Sequence, residues 1–212
     1  MATLGMGAPE VEQTYARARA LCSHVGETPQ LFPTLLGLCR FYRNHGALST
    51  ARELGEQLYR LAQRAAAPTQ LLEAHDVLAG ILTFLGLTFL GAYPAARMHC
   101  ERGIALTDPA AQRALALRHG KAPGVMCLLH VALTLWCLGY PTQAVRRIEE
   151  ARALAQALAH PYSQVLVQHF ATWLHHRRRD IPAFQAQAEA LLTLATAQEF
   201  PLWAAFGSYW QG

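Results

Sequence analysis

The sequence predicts an all-α protein, a right-handed α–α superhelix of antiparallel helix pairs, and three observations carry that expectation. Ala and Leu dominate, β-branched residues are sparse and no segment alternates with period two, so the pattern suits helices and not strands. Small residues recur on one ruler: Ala132 is followed by Gly139 seven positions on, by Ala144 at twelve and by Ala151 at nineteen. The eleven prolines fall at expected helix starts or in connections and never in a helix interior, where each would remove a hydrogen bond and clash with the preceding turn.

The clearest unit spans 125–160. Leu128, Val131, Ala132 and Leu135 form one helical face that ends at Leu138-Gly139, where a residue without Cβ takes a left-handed turn. Pro141 restarts the chain, and Ala144, Ile148, Ala151 and Leu154 mark the face of a second helix. This spacing of small and large residues is the tetratricopeptide pattern.

Taken in order, residues 9–24 read as a second helix without a first, followed by repeats at 29–65 and 69–106. Cys39, Gly46, Ala51 and Leu58 keep the ruler in the first of these, and Thr50 with Glu53 has capping-box spacing. In the next, Phe84, Gly91, Ala96 and Gly103 keep it, with the large Phe84 expected to face Gly103. A connecting insertion covers 107–124, with a short helix expected over Ala110–His119. After the unit at 125–160, Ala171, Ala183 and Ala190 mark a repeat at 161–199, with Arg178 in place of the turn glycine and Asp180 as a helix cap. A truncated repeat, 200–212, has Ala205 at its small position. The whole chain, 1–212, reads as one solenoid domain ending in two half repeats. Such ends imply either a piece of a longer protein or self-association through exposed terminal helices, with Trp203, Phe206, Tyr209 and Trp210 exposed.

Composition narrows the function. With 52% hydrophobic and 15% charged residues the chain can bury a large core. The net charge of +4 is mild and the arginines are scattered, so no nucleic acid is expected. Cys22, Cys39, Cys100, Cys127 and Cys137 are odd in number and irregularly spaced, which fits a reducing cytoplasm better than a disulfide framework. The stretch from Val77 to Ala96 has no charge and is long enough to cross a bilayer, but it contains Gly80, Gly86, Gly91 and Pro94. An apolar first helix sandwiched between neighbours explains it without a membrane.

Gly120-Lys121 is followed by Ala122-Pro123 and forms no phosphate loop. Cys127 with His130, and His169 with His176, lack the further ligands a metal site needs. No cofactor, metal or catalytic residue is expected. The basic run His175-His176-Arg177-Arg178-Arg179 reads first as a solvated turn, with an acidic partner or nucleic acid as the alternative.

The strings APEVEQTYARARALC (8–22), TARELGEQLYRLAQRA (50–65), LTLWCLGYPTQA (133–144) and FPLW (200–203) resemble the tetratricopeptide-rich C-terminal region of bacterial class III adenylate or guanylate cyclases that also carry a STAND-type ATPase. The resemblance implies a regulatory arm, with cyclase and ATPase lying upstream, and none of their catalytic residues maps here. Ala122 stands where the family has an acidic residue before Pro123-Gly124, and Glu199 where it has glycine before Phe200. The expected function is a non-enzymatic protein-interaction module that holds a protein or peptide partner, including an ATPase domain of the parent protein, in a groove lined by first helices. Arg40, Arg43, His130, Thr134, His169 and Trp173 are the groove candidates. A small-ligand sensor of a bacterial transcriptional regulator is the alternative.

Overall fold

The computed structural model describes residues 10, 13, 14, 17, 20, 30–88 and 90–211. The expected helix over 9–24 lies mostly outside them, as do Pro9, Cys22 and Pro29. The described residues are helical throughout with short connections and contain no strand. Two compact units divide the chain, one up to Leu106 and one from Thr107.

The first unit contains α1 (Leu31–Asn44), α2 (Leu48–Ala65), α3 (Pro68–Gly86), a short 3-10 turn (Leu90–Ala92) and α4 (Tyr93–Ala105). Each helix packs on the next, and the first helices α1 and α3 also touch. Gly46, at φ 75°, makes the left-handed turn between α1 and α2. Ala51, Leu54, Leu58 and Ala62 form one stripe of α2 that meets Phe32, Leu35 and Cys39 of α1 and Val77 and Ile81 of α3. Removing the Leu58 side chain from water contributes about 2 kcal/mol.

One local expectation needs correction here. Helix α2 begins at Leu48, and its N-cap Ala47 makes no side-chain cap, so Thr50 and Glu53 lie inside the helix and form no capping box. Phe84, expected to face Gly103, leaves 37% of its surface exposed. A close approach of α3 and α4 occurs at Gly86, where a Cβ would overlap the ring of Tyr93.

The second unit contains α5 (Pro109–His119), α6 (Pro123–Cys137), α7 (Pro141–Ala157), α8 (Pro161–Arg178), α9 (Ile181–Ala197) and α10 (Pro201–Gln211). Helix α5, expected within the connection, is capped by the Asp108 carboxylate, which accepts the Ala111 N–H at 2.8 Å, and it ends on Gly120 at φ 72°. Helix α6 is buried from Pro123 to Leu135, which explains its apolar composition. Helix α8 starts under His160, whose Nδ1 accepts the Ser163 N–H at 3.2 Å.

The spacing at 161–199 departs from the ruler by one residue. The left-handed turn is Arg179, at φ 55°, and not Arg178. The buried positions of α9 are Ala188, Leu191 and Ala195, whereas Ala183 and Ala190 are only partly covered. Measured from Ala171, the turn and these buried positions come one residue later than Gly139, Ile148, Ala151 and Ala155 do after Ala132. The stretch from the small residue to the turn is therefore one residue longer in α8 than in α6. Asp180 caps α9 through the Ala183 N–H at 3.4 Å.

Arg152 on α7 ties three helices together, donating to Gln168 of α8 at 3.1 Å and to Gln187 of α9 at 2.9 Å. Helix α10 comes close to α9 at Gly207, where a Cβ would lie 2.8 Å from the Leu192 Cα. Ala205, expected at the small position, is exposed instead. No single described helix is long and apolar enough to cross a membrane. Helices α5 and α6 satisfy length and composition only together, and they meet at a 96° bend.

Candidate functional site

The first helices of the second unit form a continuous face. Helix α8 packs beside α6 on one flank and beside α10 on the other. Its aromatic side chains mark the register, with the rings of His130 and Phe170 6.1 Å apart across α6 and α8. Tyr162 meets Phe200 at 5.5 Å, His169 meets Trp203 at 5.1 Å and Phe206 at 5.0 Å, and His176 meets Trp210 at 5.3 Å. Successive residues of α8 thus meet successive residues of α10, as parallel neighbours do.

Charge on this face has one sign. Helices α6, α8 and α10 contain no Asp or Glu, and their only full charges are Arg177 and Arg178 at the end of α8. Acidic residues occur instead on the second helices, as Glu149 and Glu150 of α7 and Glu189 of α9. Arg178 lies 3.7 Å from Asp180, which also lies 3.5 Å from His175. The Arg177 guanidinium sits 5.1 Å above the ring of half-buried Trp173. Arg179 is exposed in the turn.

Exposed apolar groups lie along α10, the helix beside α8. On α10, Leu202, Phe206 and Tyr209 recur at helical spacing with 62%, 38% and 73% of their surface exposed. Trp203 and Trp210, expected to be exposed, are half-buried against α8. Burial lowers the pKa of His169 from 6.5 to about 4, so it is neutral in neutral solution and behaves as an aromatic packing group.

The residues singled out in the sequence separate by burial. In the second unit His169 and Trp173 are partly exposed on α8, four residues apart on one face. His130 and Thr134 expose 1% and 0% and lie within the packing, so a partner would meet the residues that cover them. In the first unit Arg43 is partly exposed, while Arg40 exposes 9% and its Nε and Nη2 are enclosed without a hydrogen-bond partner among the described residues. Periodicity puts all six on a groove because it identifies a helix face but not its covering.

Sequence reasoning missed a buried pair in the first unit. His75 of α3 and His99 of α4 face each other with Nδ1 atoms 2.9 Å apart, under the ring of Tyr59. Desolvation lowers both pKa values to about 4, assisted by each pair member's cationic neighbours, with Arg102 acting on both and Glu56 opposing at His99. The pair shares a proton, one ring donating and the other accepting. Their separation of 24 positions gave no motif to read. Among the described residues no three His, Cys, Asp or Glu side chains converge as metal ligands.

The architecture has counterparts among solved structures. The TPR-like repeats of a Podosopora anserina protein described as kinesin light chain share 19% identity, with TM-score 0.55. A single-substitution variant of those repeats shares 18%, with TM-score 0.58, and each comparison covers 89% of this chain and 85% of the other. The fold is tetratricopeptide-like. At that identity the likeness establishes a fold and nothing about partners. No protein-family model matches the sequence, and no curated protein matches it either.

Proposed function

We propose that this chain is a non-enzymatic protein-interaction and regulatory module that receives a partner segment on the α6–α8–α10 face. The observation that supports this reading most directly is the composition of that face: three adjacent helices without a carboxylate, with Phe206 and Tyr209 exposed and a partly accessible Trp173 under arginine. Aromatic and arginine side chains supply most of the energy in protein interfaces. A tetratricopeptide-like fold suits the role, because stacked helix pairs present such a face along several repeats.

The finer reading rests on the four strings that resemble the C-terminal region of cyclase and STAND-type ATPase proteins. In that setting the module is a regulatory arm in a reducing cytoplasm, and its partner is an ATPase domain of the parent protein. It would act by binding one state of that domain more tightly than another, since equal affinity for both shifts nothing.

The test is binding of peptides selected from a displayed random library, compared between the native chain and a Trp173→Ala/Phe206→Ala variant. The expected result is a loss of affinity of about tenfold or more with an unchanged helical circular-dichroism signal. Unaltered affinity would place the binding surface elsewhere.

A further inference from the structure

The chemistry of the face indicates what kind of segment it accepts. Helix α8 ends in Arg177, Arg178 and Arg179, and α9 begins at Ile181 after Asp180, so one carboxylate stands among three guanidinium groups. That carboxylate is already committed: it caps the Ala183 N–H and lies 3.5–3.7 Å from His175 and Arg178. Arg177 and Arg179 are left exposed, the first stacked over Trp173 and the second at the tip of the turn. The apolar strip of α10 runs alongside, because His169 touches Phe206 and His176 touches Trp210.

We infer that the C-terminal end of α8, with the adjacent strip of α10, docks an acidic segment of a protein partner that carries an apolar side chain. This inference rests on the reading of the α6–α8–α10 face as an interaction surface. The partner's carboxylates pair with Arg177 and Arg179, and its apolar side chain covers Trp173, Phe206 and Tyr209. Charge complementarity selects this occupant: a basic segment would meet like charge at the turn and find no acid anywhere on the three first helices. A stacked guanidinium keeps its edge N–H donors free for a carboxylate while its face rests on indole, so Arg177 can serve both contacts at once. Arginine holds such a pair in bidentate geometry, which lysine does not reproduce.

The experiment pans the full chain against a displayed random peptide library and reads the sequences and affinities of the enriched peptides. The expected peptides are net acidic with at least one large apolar residue. Their affinity should fall about tenfold in Arg177→Glu/Arg179→Glu, a pair of exposed substitutions that leaves the core untouched, and should weaken as salt rises. Enriched peptides that are neutral or basic, yet lose affinity in Trp173→Ala/Phe206→Ala, would overturn the acidic partner while keeping the interaction face. No enrichment, or peptides indifferent to both variants, would overturn both. Displacement of the peptides by single-stranded DNA, with binding of the DNA itself abolished in Arg177→Glu/Arg179→Glu, would reassign the surface to nucleic acid.

Discussion

Gln112 caps a helix to which it does not belong. Its Oε1 accepts the Gly124 N–H at 2.8 Å, supplying to the first turn of α6 the acceptor that Ala122 at the N-cap cannot provide. The resemblance leads one to expect an acidic residue at 122, and the structure shows why its absence is tolerated: α5, across the connection, brings in a buried amide instead. A side-chain Cβ at 124 would lie 2.7 Å from the Thr107 Oγ1, so glycine there is required by close packing.

Gln112→Ala should therefore destabilise the second unit by about 1–2 kcal/mol, since it leaves a buried N–H without its acceptor. Ala122→Asp in the same background should restore part of that loss by capping locally. Urea denaturation of the single and double variants measures both. Additive effects would show that the two groups do not serve the same donor.

Glu199 occupies a left-handed turn at φ 54°, a position where the resemblance leads one to expect glycine. Glu199→Gly should stabilise the chain by about 1 kcal/mol by relieving the Cβ clash with the backbone. A thermal midpoint no higher than that of the native chain would show that the glutamate side chain offsets its own strain.

Gly86→Ala should have the opposite sign. Alanine is the better helix former, but its methyl group would enter the ring of Tyr93 and force α3 and α4 apart. The expected loss is about 1–3 kcal/mol, restored in part by Tyr93→Leu, and denaturant midpoints of both variants check it.

The His75–His99 pair makes the first unit sensitive to acid. Both pKa values fall from 6.5 to about 4 in the folded chain, so between those limits the unfolded state binds more protons and stability drops as pH decreases. Well above pH 6.5 neither state binds protons at these groups, and their contribution is constant. His75→Gln/His99→Gln should flatten the profile between pH 6.5 and 4 when the urea midpoint is followed against pH. A slope equal to the native one would assign the acid sensitivity to His169 and His160, whose pKa values burial also lowers.

Much of the fold was legible because helix boundaries are set by local chemistry. Pro68, Pro123, Pro141, Pro161 and Pro201 each open a helix, and Gly46 and Gly139 each turn one, as residue type alone dictates. The errors arose where local rules gave way to packing. The extra residue in α8 was invisible because alanines at 183 and 190 satisfied the ruler in a helix rich in alanine, while burial selected 188, 191 and 195. The site was legible only in part. Trp173 and His169 could be placed on a first helix by period, but the covering of His130 and Thr134 depends on neighbouring helices, and the Arg177–Trp173 stacking depends on side-chain geometry.

The most direct test of the interaction face is amide hydrogen exchange of the native chain with and without a peptide selected against it. The expected result is added protection, and slower exchange, confined to the later turns of α8 and to α10, with α7 and α9 unchanged. Protection on α7 and α9 instead would place the partner on the second helices and contradict the assignment of the first-helix face as the binding surface.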